Sequence, residues 1–232
     1  SLKSSGDVTE LLRRHGETPD GPALASCISR YRFRATPYYL SLIDWGDPQD
    51  PIRRQCLPDH RETEEGDTYS HDPYAETSSG LPPGVVHRFP DRVLLVATTQ
   101  CAVYCRHCTR KNTLDVMPYV DSANLDAAIG YIHEHPEVRE VLISGGDPLL
   151  LETARLDDLL ARIHAISHVE VIRIGSRVPV VMPMRIDDEL VAILRRYRPL
   201  WVNTQFNHPR ELTGDAEAAC ARLADAGIPV SN

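Results

Sequence analysis

From residue 92 onward, short apolar runs alternate with segments whose apolar residues recur every three or four positions. The runs are Arg92–Thr98, Glu140–Ser144, Val169–Gly175 and Leu200–Phe206, and a fifth, Ile228-Pro229-Val230, begins close to the last residue, Asn232. Their composition and bounds predict strands. Between them Leu156, Leu159, Leu160, Ile163 and Ile166 line one helical face, as do Leu190, Ile193, Leu194 and Tyr197. A further helix carries Leu125, Ile129 and Ile132, with Asp121 or Ser122 available as its cap. Val141, Val171, Trp201 and Ile228 stand 30, 30 and 27 residues apart. Strand–helix units of about 30 residues predict parallel strands joined by helical crossovers. The continuously apolar runs predict cover on both faces of the sheet. The fold class is therefore α/β, as a (β/α) barrel, whole or partial, or as an open doubly wound sheet. Both place ligands at the C-terminal ends of the strands, so the residues after each run carry the chemistry.

The first 84 residues have a different character. Val8, Leu11 and Leu12 fit a short amphipathic helix, and Tyr31, Phe33, Tyr38 and Tyr39 supply aromatic packing. Residues 59–76 hold seven acids and one arginine and lead into the turn-rich TSSGLPPG, which predicts a solvated linker or lid. The expected organisation is a helical extension and acidic linker over 1–84, then a core domain over 85–232.

Composition narrows the function classes. Hydrophobic residues at 42% are enough to fill a core, and no stretch of about 18 apolar residues is present, so a membrane span is not expected. The N-terminal residues lack an apolar signal region. A net charge of −8 argues against a sequence-independent grip on nucleic acid. Of six cysteines, Cys101, Cys105 and Cys108 fall within eight residues and Cys27, Cys56 and Cys220 are scattered. That pattern reads as a reduced, cytoplasmic protein with one cysteine cluster rather than a disulfide framework.

The cluster has C-x3-C-x2-C spacing on the loop that leaves the first run. Three thiolates so close can converge on a metal centre. Zinc would need a fourth ligand such as His107, an iron–sulfur cube would keep one iron open, and inert thiols are the third reading.

Other motifs follow in order. They are His87-Arg88-Phe89-Pro90-Asp91-Arg92, Cys105-Arg106-His107-Cys108-Thr109-Arg110, Ser144-Gly145-Gly146-Asp147-Pro148-Leu149, Ile172-Arg173-Ile174-Gly175-Ser176-Arg177 and Phe206-Asn207-His208-Pro209. With Tyr38-Tyr39 and Asp50-Pro51-Ile52-Arg53 they resemble the lysine 2,3-aminomutase family of the radical S-adenosylmethionine (SAM) superfamily, over most of the chain. The resemblance implies a partial (β/α) barrel of radical SAM type behind an N-terminal helical extension. It implies an isomerase that moves an α-amino group to the β-carbon of an amino acid. It also implies a [4Fe-4S] cluster on Cys101, Cys105 and Cys108, SAM, and pyridoxal phosphate (PLP).

By that resemblance Ser144, Gly145, Gly146 and Asp147 meet the amino group of SAM, and Arg177, Asn207 and His208 hold its remaining parts. Glycines also let a backbone approach closely, and Gly-Gly-Asp-Pro equally makes a plain turn. Paired arginines suit a phosphate, and the resemblance gives Arg88 and Arg92 to PLP. It gives Arg110 to the substrate α-carboxylate. Expected partners are a small amino acid, an electron donor such as flavodoxin or ferredoxin, and further copies of the chain in a homo-oligomer.

Departures from the family are visible. Gln205 stands where the family has histidine, and Lys111-Asn112-Thr113-Leu114 replaces a basic, aromatic run. The chain has two lysines, Lys3 and Lys111, neither in the place of a PLP lysine. The expectation is an N-terminal part of a longer protein. The rival readings are a relative acting on arginine, glutamate or a lysine destined for a translation factor, a homologue that binds SAM without turnover, and a non-catalytic, zinc-stabilised barrel.

Overall fold

The computed structural model describes residues 2–64, 70–77 and 80–232. Parts of the expected acidic linker, residues 65–69, and of the turn after it, residues 78–79, lie outside the described residues. The chain divides into two compact units. One comprises residues 1–75 with 101–115, and the other residues 76–100 with 116–232.

The first unit is helical. Helix α1 (Ser5–Arg14) starts at a capping box between Ser4 and Asp7 and buries Val8 and Leu12, two of the three residues of the expected apolar face. Helix α2 (Gly21–Arg30) is capped by Asp20 and buries Leu24 and Cys27. Two shorter helices follow, α3 (Pro37–Leu40) and α4 (Pro51–Cys56), each opened by a proline behind a capping Thr36 or Asp50. A 3-10 turn, His60–Thr63, is closed by a second capping box between Asp59 and Glu62. Of the four expected aromatics, Tyr31, Phe33 and Tyr39 are buried and Tyr38 is half-buried.

The second unit is built on a six-stranded sheet in the order β1-β2-β3-β4-β5-β6. Strand β1 (Val85–Phe89) pairs antiparallel with β2 (Arg92–Thr98). The hairpin turns at Pro90-Asp91. Strands β2, β3 (Glu140–Gly145), β4 (Val171–Gly175), β5 (Leu200–Asn203) and β6 (Val230–Ser231) are all parallel. Helices α5 (Leu125–His133), α6 (Thr153–His164), α7 (Val178–Val181), α8 (Asp188–Leu194) and α9 (Gly214–Asp225) lie between them in the chain. The expected partial barrel, an α/β sheet of repeated strand–helix units, is what forms.

Two expectations are corrected. Strand β1 is an addition: its mixed VVHRF sequence gave no apolar run. The strands are also not equally covered on both faces. Along β3 and β4 burial alternates, with Val141, Ile143, Ile172 and Ile174 buried and Leu142 and Arg173 only partly so. The buried set joins Leu156, Leu160 and Ile163 of α6, Leu190 and Leu194 of α8, and Leu223 of α9 in one core. The helices therefore cover one face, and continuous apolar character misled because the other face also carries Leu94, Leu142 and Trp201. At the start of α5, Asp121 accepts from the Ala123 and Asn124 amides and its carbonyl from that of Leu125, so it organises the entry turn while Asn124 takes the cap position.

Candidate functional site

In the first unit, the loop Cys101–Asp115 forms turns rather than regular structure. Its spacing has a packing reason. Ala102, Val103 and Tyr104, the spacer between the first two cysteines, are buried, while Cys101, Cys105 and Cys108 stay partly exposed and unbridged. The apolar spacer anchors the loop and leaves the thiols presented. Successive turns follow, with the Cys108 amide donating to the Cys105 carbonyl at 3.1 Å and the Lys111 amide to the Cys108 carbonyl at 3.2 Å. The Arg110 amide donates to the Cys108 sulfur at 3.4 Å.

Residues distant in the chain brace this loop. The Arg34 guanidinium donates to the Cys101 carbonyl at 3.1 Å and lies over the Tyr104 ring. The Tyr104 amide donates to the Arg34 carbonyl, and the Arg106 amide to the Gln55 carbonyl at 2.8 Å. By contrast, burial pushes the thiols of Cys27 and Cys220 above their ordinary range, which suits unreactive packing groups.

In the second unit, the ends of β3, β4 and β5 form a connected set of loops. Gly145 has φ +119°, and a Cβ there would lie 2.4 Å from the Thr98 carbonyl oxygen. A Cβ on Gly146 would lie 2.3 Å from the Gln100 carbonyl oxygen. The Gly146 amide donates to Thr98 at 2.6 Å and the Asp147 amide to Gln100 at 2.7 Å. The glycine pair is therefore required by the passage of residues 98–100, which lead in the chain to Cys101. Gly146→Ala sets Cβ against backbone that cannot turn aside. It is expected to destabilise the protein by about 1–3 kcal/mol or more, whereas Gly214→Ala, at a site with nothing within 4 Å of the new Cβ, changes little. Urea unfolding of the two variants checks this.

Asp147 is buried and its oxygens are taken. Oδ1 accepts from Ser176 Oγ at 2.6 Å and the Leu149 amide at 3.2 Å, and Oδ2 from the Arg177 amide at 2.8 Å. Desolvation pushes its carboxyl up to about 6, against the opposing pull of those donors. Asp147 thus locks the end of β3 to the end of β4. Arg177 is likewise committed. Its Nη2 pairs with Glu211 Oε1 at 2.9 Å, and Glu211 is fully buried. The second Glu211 oxygen accepts from the Asn207 and His208 amides. His208 Nδ1 accepts from the Arg210 amide, so this ring caps the 3-10 turn Pro209–Glu211.

The structure brings Ser144, Gly145, Gly146, Asp147, Arg177, Asn207 and His208 to the C-terminal strand ends. Arg110 lies in the cysteine loop of the other unit. It does not bring Arg88 and Arg92 to the strand-end loops. Both sit at the β1–β2 hairpin, at the opposite end of β2 from Thr98, and Arg92 is paired with Asp91 at 2.8 Å. Two residues escaped the sequence reading, Glu211 and Glu62. Each occupies the third position of a capping box, Asp59-x-x-Glu62 and His208-x-x-Glu211; the first follows the sequence pattern of such boxes, whereas a histidine cap does not signal one.

Among the described residues, no three His, Cys, Asp or Glu side chains gather as they would on a single ion. A lone zinc takes its thiolates at about 2.3 Å from one centre. A four-iron cube takes each thiolate on a different iron, and three part-exposed cysteines without a disulfide fit that group.

Residues 95–232 match the family model described as the radical SAM superfamily. The chain belongs to the radical SAM superfamily. Such a domain implies a [4Fe-4S] cluster and SAM. The superfamily member is 51% identical over 227 residues to an L-lysine 2,3-aminomutase of Acetoanaerobium sticklandii, covering 97% of this chain and 55% of that protein. It is 48% identical to an L-lysine 2,3-aminomutase of Clostridium subterminale, over 90% of this chain and 50% of that one. A glutamate 2,3-aminomutase of Clostridioides difficile is 40% identical, over 88% of this chain and 48% of that protein. The chain spans about half the length of these curated relatives. Among the described residues no helix is long and apolar enough to cross a membrane.

Proposed function

We propose that this chain is the cluster- and SAM-binding part of a radical SAM 2,3-aminomutase, with lysine as its amino acid. The observation that carries the reading is the braced loop presenting Cys101, Cys105 and Cys108, in a chain 51% identical to an L-lysine 2,3-aminomutase. When bound there, a [4Fe-4S] cluster supplies the electron that cleaves SAM to methionine and a 5′-deoxyadenosyl radical.

The chain's own residues do the holding. The three thiolates fix the cluster and the Arg110 amide supports the Cys108 sulfur. In the strand-end loops the side chains of Asp147 and Arg177 are turned inward on their neighbours. The groups we assign to a bound SAM are the backbone at Gly145 and Gly146 and the side chains of Ser144, Asn207 and His208. Asp147 and Arg177 act by fixing those loops.

PLP is the expected second cofactor, and an electron donor of the flavodoxin or ferredoxin kind the expected partner. Arg88 and Arg92 do not form a PLP site with the strand-end loops, and Lys111 is engaged by Glu62. No PLP step is assigned to these residues. Glutamate is the second substrate reading, favoured by the 40% relative.

The test uses the full-length protein, reconstituted anaerobically with iron and sulfide and reduced with dithionite. It is expected to form 5′-deoxyadenosine from SAM and to convert lysine, with PLP added, to 3,6-diaminohexanoate. A colourless protein holding zinc and no sulfide would overturn the proposal. Turnover of glutamate or arginine in place of lysine would reassign the substrate.

A further inference from the structure

Within the first unit, the carboxylate of Glu62 gathers two cations from the cysteine loop. Arg106 Nε donates to both Glu62 oxygens, at 2.9 and 3.1 Å, and Arg106 Nη2 to Oε2 at 2.8 Å. Lys111 Nζ lies 3.4 Å from the same oxygen. The Asp59 amide donates to Oε1 at 3.0 Å, so the carboxylate is itself fixed by backbone. The Arg106 guanidinium also donates to the Arg32 carbonyl at 3.0 Å. Arg106 and Lys111 both lie over the Tyr31 ring, at 5.9 and 4.6 Å from its centre. The side chains of Arg106 and Glu62 are only 7% and 13% exposed. This is a built, nearly dry ion cluster in a stretch whose acids read as solvated.

Its place in the sequence gives it a consequence. Arg106 lies between Cys105 and Cys108, and Lys111 three residues beyond Cys108. A single carboxylate thus holds the loop on both sides of one cysteine. We propose that Glu62 is the positioning residue of the cysteine loop and the counter-charge that tunes the group bound there. The inference rests on the reading of that group as an iron–sulfur cluster.

Two effects follow from separate properties of the side chain. The forked contact fixes the direction of Arg106 and with it the backbone that carries Cys105 and Cys108. A loop of turns without that anchor has more conformations to lose on binding metal. The negative charge, in turn, opposes two cations that flank Cys108. Without it their field favours the more negative, reduced cluster, and the reduction potential rises.

The experiment separates these effects in the full-length protein, reconstituted with iron and sulfide. Loss of iron to a chelator and the midpoint potential, from titration followed by electron paramagnetic resonance, are measured for wild type, Glu62→Gln, Glu62→Ala and Arg106→Lys. Glu62→Ala is expected to lose iron about tenfold faster, the scale of outer-shell substitutions. Glu62→Gln keeps an acceptor for Arg106 but not the charge, and is expected to hold iron more nearly as wild type does while its potential moves upward. Arg106→Lys keeps the charge without the fork, and is expected to release iron faster with little change in potential. If Glu62→Ala does not fold, the opposite behaviour of the other two variants still decides. Wild-type rates and potentials in all the variants that fold overturn the inference alone. A wild type that takes up no iron and sulfide overturns the cluster reading beneath it.

Discussion

Alanine at any one of Cys101, Cys105 or Cys108 is expected to reduce iron and sulfide in the reconstituted protein to background, and to abolish 5′-deoxyadenosine formation. Alanine at Cys220 is expected to change neither. The contrast follows from the surroundings of each thiol. The first three stand partly exposed on one braced loop, and Cys108 already receives an amide hydrogen bond. Burial pushes the Cys220 thiol above its ordinary range, which disfavours the thiolate that metal binding needs. The effect is expected to be total rather than graded because a cube held by three thiolates has no ligand in reserve: with two thiolates, two irons would be open and the cube labile. Iron and sulfide analysis with the absorbance near the thiolate–iron charge-transfer band reads the first part, and chromatography of the nucleoside the second. Metal content in all three loop variants equal to wild type would leave the loop without its assigned role.

Glu211→Ala is expected to cost about 3–5 kcal/mol of stability, because it removes the anion paired with the Arg177 guanidinium in a nearly dry site. The amides of Asn207 and His208 lose their acceptor in the same change. A double variant, Arg177→Met with Glu211→Leu, separates the two contributions. Removing both charges recovers the share due to the ion pair, since buried pairs replaced by apolar residues are often neutral. It does not recover the share due to the two amides, each worth about 1 kcal/mol. The double variant should therefore fall between wild type and Glu211→Ala. Denaturant unfolding of the three proteins provides the comparison, and a double variant no more stable than Glu211→Ala would show that the amide contacts, not the charges, dominate.

The strands were legible in the sequence because Val, Ile and Leu pack against helices at a fixed repeat, and the repeat itself set the parallel order. Strand β1 was not, because Val85–Phe89 gains its partners from the Pro90-Asp91 turn rather than from an apolar pattern. The grouping of the three cysteines on one loop was legible from their spacing, but spacing left iron–sulfur, zinc and inert thiols open. The roles of Asp147 and Arg177 were legible only as positions. Whether a charged side chain at a strand end faces a ligand or a neighbour depends on tertiary partners, here Ser176 and Glu211, which lie 29 and 34 residues away. Gly145 and Gly146 show the same limit: the turn was visible, but the backbone that crowds them belongs to residues 98–100.

The two capping glutamates have a mechanical consequence. A 3-10 turn of three or four residues contains too few hydrogen bonds to persist alone, and such segments ordinarily fray on their own. Here each turn's own cap is also the anion of a long-range pair, 44 residues away for Glu62 and 34 for Glu211. Unwinding either turn would withdraw the anion from a guanidinium that has little water to replace it. Fluctuations that would stay local are thereby coupled to the breaking of a distant ion pair, and two short turns inherit the rigidity of the tertiary structure they are tied to.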